Sequence, residues 1–565
     1  MNSIKPAPDH SRILLAMITI YWCIISPITC VGHFIIDNTR LSIDELSSIN
    51  MTSQTLKNPL PGGKISVIRV EDAQYFNPFT TSRHVSTNWQ LCYTSLMTPS
   101  VDNYGLFLPL IASNLSLSTD KKRVDISINP SASFINQIPI TSDDVIASMT
   151  YFIENDIKYD HLRTAGLIFQ KVSDQQFSII SQTPISLEKV ITLGLLPVTS
   201  AGTIKSDHPV ESGAYQLTKF KKNQIAILKK RPFWGENLAS QTGLYQFDTI
   251  NLIYMKSRLS SYQAFKRHDA DYHWEPFQEE WASLKRLALK NRALKLKQIE
   301  QKRAQGMTGF AFNQHKPYMK NSEVRKAFNL AFDYHFINQS LLGQNTHRIL
   351  SYFTNTPYQN HKNTPPSFNL DEADQLLIKN KWITINTKRV HKDTKKPLHV
   401  RILVDGHANE KIANIYKKNL ESLGITCHIQ KTNQADYLYQ LQEGQFDIAY
   451  FNIPIAQLSP DTIISMFSHN SGQSQDFASI LGVHNSNLEE KIIDINKQAN
   501  MDDKIKAIQN LDQFLYDQYL FIPFWHPNTI NIAHWDNIDG PSTSMEIRPS
   551  NYFYYWWATD QSKTN

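Results

Sequence analysis

Between Gly213 and Leu228 the chain alternates. Tyr215, Leu217 and Phe220 are the apolar members of one arm, Lys221-Lys222-Asn223 form a polar turn, and a second apolar run extends from Ile225 to Leu228. A period of two broken by a polar turn predicts a β-hairpin with a basic tip, closing on Arg231-Pro232-Phe233-Trp234-Gly235. Upstream, Lys64 to Val70 (KISVIRV) is dense in β-branched residues, as a buried strand requires, and Asn77-Pro78 turns the chain after it. Trp89 to Met97 reads as helical. Residues 104 to 190 hold short strands and one helix, in which Thr141-Ser142-Asp143-Asp144 caps a stripe of Val145, Met149 and Phe152. Phe247 to Met255 alternates as a strand, and Ser260 to Arg267 forms a helix. From Asn321, a cap, Val324, Phe328, Ala331 and His335 make one helical stripe that Gly343 stops.

The plainest pattern lies in residues 397 to 451. PLHVRILVD, ITCHIQ and FDIAYF are strand-like, and the two segments between them carry helical periodicity, with Ile412, Ile415, Asn419 and Leu423 in step in the first. Strands alternating with helices at this spacing predict a parallel α/β sheet. Two amphipathic helices follow, one marked by Leu488, Ile492, Ile495 and Ala499, the other by Ile505, Ile508, Leu511, Leu515 and Tyr519. FIPFWHPNTINIAHW then returns to strand, before an aromatic end at NYFYYWW. No tandem repeat or long low-complexity segment is present.

Composition changes this picture little. A chain of 565 residues has room for several domains. With 41% hydrophobic residues, 19% charged and a mean hydropathy of −0.37 it is ordinary globular material. Aromatics at 11% and only 19 glycines suit a rigid body that stacks or wraps its ligand. The formal charge of +6 is scattered, without the concentrated stripe a nucleic-acid partner demands, so no nucleic acid is expected.

The N-terminus adds a destination. Lys5 and Arg12 flank a polar lead, Ile13 to Ile25 is apolar apart from Thr19, Ser26-Pro27 breaks the run, and Cys30-Val31-Gly32 supplies small residues. This is the plan of a secretory signal, over residues 1–32. The run falls short of the roughly 20 residues that span a bilayer. A lipid anchor at Cys30 is disfavoured by Thr29 just before it. Removal of Lys5, Arg12 and Asp9 would lower the formal charge by one, to +5. Residues 33–57 are an unpatterned linker. Of the four cysteines only Cys92 and Cys427 lie in the body, and they are expected as two buried thiols.

Catalytic signatures are missing. Gly62-Gly63-Lys64 lacks the earlier glycine and the Ser/Thr of a nucleotide loop, and there is no HExxH or CxxC. His268, Asp269, Asp271, His273 and Glu275 cluster without a metal-ligand spacing and fit a polar loop. Neither an enzyme, a metal nor a cofactor is expected.

The order of motifs resembles one family. YTSLMTP, TSDDV, SGAYQL followed by RPFWG, FDTINLIY, AFKRHDADY, FAFN with VRKAFNLAFD, and IPFWH are similar, in that order and over about residues 60 to 557, to the family-5 solute-binding proteins. These are the peptide-binding subunits of ATP-binding-cassette importers. Ser351-Tyr352-Phe353, Gln457-Leu458-Ser459-Pro460 and Tyr555-Trp556-Trp557 resemble the branch serving the Yej-type importer of microcin C and oligopeptides. The resemblance implies a periplasmic binding protein type II-like, class C fold: a two-lobed α/β clamp with an accessory domain. Lobe I would gather 58–88, 190–305 and 522–558; the accessory domain would be 89–189 and lobe III 306–521. It implies a periplasmic monomer that closes its lobes on an oligopeptide or modified peptide. The ligand would pass to permease subunits in the inner membrane, driven by separate ATPase subunits.

Matched positions give ligand-binding candidates: Asp72, Ala73 and Gln74 at the end of the first strand, and Phe312 and Asn313 where the chain enters lobe III. Ser459, Pro460 and Asp461 fall in the loop that supplies an aspartate for a ligand's amino group in oligopeptide binders. Ala456 stands where that aspartate would be, which leaves Asp461 as the nearest substitute. Trp89, Tyr352 and Trp525 are candidate aromatic walls, with core packing the competing role. The hairpin, with its Phe233-Trp234-Gly235 corner, is expected to be scaffold. SFINQI at 133 to 138 departs from the polar-Asp-Gly turn of the family. The rival readings are a receptor of the same fold for a metallophore or sugar, an exported hydrolase using dispersed carboxylates, and a chaperone.

Overall fold

The computed structural model describes residues 61–559 apart from 81, 83, 101–106, 156–159, 164, 186, 233–243, 406, 433, 454–459, 468–476 and 499–500. The signal segment, the Phe233-Trp234-Gly235 corner, Ala456 and Ser459 lie outside the described residues. Among those described, the chain divides into two compact units, 61–303 with 529–559 and 304–453 with 460–528.

The first unit is built on a seven-stranded sheet. Its order is Leu294–Glu300, Thr529–Trp535, Tyr272–Trp274, Lys64–Val70, Thr249–Met255, Ile225–Lys230 and Tyr215–Lys221. Lys64–Val70 runs parallel to Thr249–Met255, with Val67 opposite Leu252. Ile65 and Val67 of the first strand and Ile250, Leu252 and Tyr254 of the second are buried, whereas Lys64 and Val70 are exposed. The expected hairpin forms, pairing Tyr215 with Lys230 and Lys221 with Ile225, and it supplies the last two strands. Its turn places Asn223 at φ 54°, a left-handed conformation that asparagine tolerates better than most residues. A four-stranded sheet, Ala112–Leu117, Arg123–Ile128, Gln176–Ile180 and Ile168–Ser173 in that order, falls in the same unit with the helix Ser142–Asn155. Asp144 accepts from the Thr141 amide and hydroxyl at 2.9 and 2.8 Å, which starts that helix where the cap predicted it. One continuous apolar core joins the two sheets, from Ile65 and Val67 through Val124, Met149 and Phe177 to Ile532 and Trp556.

The second unit carries a five-stranded sheet ordered Thr426–Lys431, His399–Val404, Ile448–Ile453, Met307–Phe312 and Phe521–Pro523. The first three strands are parallel, and the helices His407–Ser422 and Gln434–Gln442 lie between them in sequence, as the periodicity predicted. Met307–Phe312 pairs antiparallel with both neighbours. Phe310, Phe328, Tyr416 and Ile522 fill its core.

Three expectations are corrected. Trp89 to Met97 is only a 3-10 turn, Trp89–Leu91, before the strand Met97–Pro99. The intervening backbone is taken up by other partners: the Thr94 amide donates to Ser212 Oγ and its carbonyl accepts from the Val198 amide. The stripe from Val324 to His335 is two helices, Ser322–Leu330 and Tyr334–Leu341, because Asp333 accepts from the Phe336 amide and caps a new start; His335 is exposed. FIPFWHPNTINIAHW is three strands, Phe521–Pro523, Trp525–Pro527 and Thr529–Trp535, and the chain passes from one unit to the other at Asn528.

The cluster at 268–275 is occupied by packing and hydrogen bonds. His268 stacks on Trp535 at 4.2 Å, Asp271 accepts from the Ser66 amide, and His273 pairs with the fully buried Glu275, which Arg258 also reaches. Among the described residues no group of His, Cys, Asp or Glu is arranged to hold a metal ion. SFINQI forms a tight turn with Gln137 at φ 65°, and Arg231 donates to Ser133 O and Oγ at its base. Cys92 and Cys427 are free, buried thiols, one in each unit.

Candidate functional site

Crevices in open α/β sheets lie outside the carboxyl ends of parallel strands. In the first unit that place is the segment following Val70. Glu71 turns inward, accepting from Ser86 Oγ at 2.9 Å and Thr87 Oγ1 at 2.6 Å. Asp72 turns outward and is exposed, 2.9 Å from His84 Nδ1, and Gln74 Nε2 donates to it at 3.2 Å. The side chain of Asn223 holds the Asp72 carboxyl below its ordinary range, with His84 and Lys256 adding smaller effects. Ala73 is fully buried, and its carbonyl accepts from the Asn223 amide at 2.9 Å. The amides of Gln74 and Tyr75 both donate to the His84 carbonyl, and Ser86 N donates to Tyr75 O. The tip of the hairpin therefore grips the exit of the first strand from one side while residues 84–86 grip it from the other. Trp89 lies just beyond, half-buried against the core.

A cavity of about 700 Å³ opens beside this segment, wholly within the first unit. Gln74, Tyr75, Phe76 and Phe79 contribute to its lining, together with Glu211, Leu217 and Phe220, and the Phe76 and Phe220 rings meet edge-on at 5.9 Å. Next to Glu211 the backbone packs closely at Gly213: its amide donates to the Cys92 carbonyl at 2.7 Å, and a Cβ there would come within 2.5 Å of the Cys92 backbone. Two residues earlier, Glu211 Oε1 accepts from the Leu217 amide at 3.0 Å. Burial raises the Glu211 carboxyl to about 7, against the hydrogen bonds from Leu217 and the Cys92 thiol, which lower it.

In the second unit the sequence candidates are mostly enclosed. Phe312 is fully buried, 5.9 Å from Phe328. Asn313, also fully buried, donates from Nδ2 to Phe446 O at 2.9 Å and Gly444 O at 3.3 Å, and accepts from the His315 amide. Tyr352 is 1% exposed, edge-on to Phe467 and Phe521. Pro460 is buried and opens the helix Pro460–Phe467, with Asp461 as its second residue. Trp525 is half-buried and stacks on Phe524 at 4.8 Å. The structure thus brings Asp72, Ala73 and Gln74 together at one strand exit, and places Phe312, Asn313 and Tyr352 inside the second unit's packing.

Two groups went unmarked by sequence reasoning. Asn223 looked like an ordinary turn residue, and only its long-range contact with Ala73 gives it weight. Glu211 carried no signal of its own, since it ends the polar stretch Lys205-Ser206-Asp207-His208-Pro209-Val210 that leads into the hairpin.

A model of the bacterial extracellular solute-binding proteins, family 5, middle region, matches residues 107–475. YejA of Escherichia coli strain K12 is 26% identical over 547 residues, covering 88% of this chain and 89% of that protein. Among solved structures, NikA from Brucella suis in complex with Fe(III)-EDTA superposes with a TM-score of 0.72 at 15% identity, over 87% of this chain and 99% of that one. The oligopeptide-binding protein AppA from Bacillus subtilis, in complex with a nonapeptide, gives 0.67 at 16% identity, over 89% and 100%. The fold is that of the two-lobed type II solute-binding proteins.

Proposed function

Since the chain belongs to the bacterial extracellular solute-binding proteins of family 5, we propose that it is the exported binding subunit of an ATP-binding-cassette importer. It captures oligopeptides or peptide-like compounds and releases them unchanged to membrane permease subunits served by separate ATPases. The family match over residues 107–475 carries this reading. The nonapeptide held by AppA supports the ligand class. The chelate held by NikA keeps a non-peptide solute as the competing outcome.

A receptor for many side chains must fix what peptides share. Bonding the extended backbone as an added strand, with roomy watery pockets for the side chains, achieves that. The strand exit at Asp72–Gln74 supports this role, because backbone hydrogen bonds on both sides hold it in one conformation before any ligand arrives. Preorganisation of this kind lowers the ordering cost of binding. Trp525 offers a half-buried indole as an apolar wall, and Asp461 is the proposed counter-charge for a ligand amino group.

Mass spectrometry of the gently purified protein, then titration with di- to decapeptides followed by its tryptophan fluorescence, tests the reading. Saturable one-to-one binding with the peptide recovered intact is expected. Trp525→Ala should weaken it by roughly tenfold, as loss of an aromatic anchor does. Recovery of a sugar or metal chelate, or of a cleaved peptide, would overturn it.

A further inference from the structure

The cavity beside the first strand exit holds a combination that packing alone does not require. Its lining mixes the rings of Tyr75, Phe76, Phe79, Tyr93 and Phe220 with polar residues such as Gln74, Asn77 and Asn136, and the half-buried Glu211 belongs to the same lining. No basic side chain contributes to the surroundings of Glu211; its hydrogen bonds come from the Leu217 amide and the Cys92 thiol. A carboxylate has about four acceptor sites, so two hydrogen bonds leave capacity for a further donor. The other charged groups on the lining, Lys205, Asp207, His208 and Lys222, are exposed and solvated, and the Lys222 ammonium already sits 4.9 Å over the Tyr75 ring. A carboxylate removed from water favours a cationic partner, and ring faces attract the same kind of charge.

We infer that this cavity is a binding site of its own for a primary amine carried on a small aromatic or apolar body. The Glu211 carboxylate serves as counter-ion and the surrounding rings as walls. The volume of about 700 Å³ accommodates a small organic molecule. All its lining residues belong to the first unit, so the site is complete within that unit.

Calorimetric titration of the full-length protein with phenethylamine, in mildly alkaline buffer where Glu211 is ionised, provides the test. Phenylacetate, with the same ring and the opposite charge, is the control. The expected result is saturable one-to-one binding of phenethylamine, none of phenylacetate, and a loss of roughly tenfold or more in Glu211→Gln. Gln216→Trp, at an exposed lining position, should block the amine while leaving Glu211 in place, which keeps the test valid if E211Q folds poorly. Peptide titrations run on both variants should match the parent, so a failure here is told apart from a failure of the peptide reading. Equal affinity of parent and E211Q for the amine, binding of both probes alike, or no saturable heat in the parent would overturn the inference.

Discussion

Asp512 shows how much a single buried carboxylate can organise. Its Oδ2 accepts from Ser351 Oγ at 2.7 Å, the Asn360 amide at 2.9 Å and Asn363 Nδ2 at 3.1 Å, while Oδ1 accepts from the Tyr352 amide at 2.9 Å. One side chain on the helix Met501–Asp517 thereby fixes the loop from Ser351 to Asn363. Burial raises its carboxyl to about 6, against those same bonds. Asp512→Asn puts a donor where acceptors are needed and should cost about 1–3 kcal/mol, read as a lowered melting temperature. Glu211 allows a prediction in pH. Its folded value of about 7 lies above the ordinary 4.5, so the folded state keeps a proton that the unfolded chain has released. The stability associated with that proton is fully present below 4.5 and is lost as pH rises towards about 7. Parent protein should therefore lose melting temperature across this window relative to E211Q, and identical pH profiles would refute the assignment. Neither carboxylate was legible in the sequence, because its role comes from partners that only the fold brings close.

At the scale of elements, periodicity carried the reading wherever partners are local in sequence. The strand–helix–strand run from His399 to Ile453 and the hairpin from Tyr215 to Lys230 emerged as expected. It failed where a single polar side chain or a distant strand decided the outcome. Asp333 splits one apolar stripe into two helices, and Ser212 draws the backbone after Leu91 out of helical conformation. The hairpin tip yields a prediction: Asn223→Gly keeps the turn, whereas Asn223→Val forces a β-branched residue into left-handed space at about 1–2 kcal/mol. Comparison of their unfolding midpoints checks this. Gly309 is a second test. A Cβ there would overlap the Ile522 carbonyl in the facing strand, so Gly309→Ala should destabilise by about 1–3 kcal/mol.

For the whole molecule, the two units differ in how the chain supplies them. Residues 304–528 contain a sheet and a core of their own. The other unit is discontinuous: Thr529–Trp535, from the far end of the chain, lies between Leu294–Glu300 and Tyr272–Trp274 and pairs with both. A fragment of residues 304–528 should therefore fold cooperatively, judged by circular dichroism and hydrogen exchange, while a fragment ending at 303 should not. This order of segments was accessible from the sequence only through resemblance, since spacing and hydropathy do not say that Thr529 returns to strands laid down more than 200 residues earlier.

The two interior cysteines have a practical consequence. Burial pushes the Cys427 thiol up to about 12, and the Cys92 thiol is raised well above its ordinary value, so neither supplies reactive thiolate near neutrality. With Cys23 and Cys30 replaced, a dye coupled through maleimide to one engineered surface cysteine would report from that place alone, against a background already silent by design of the core.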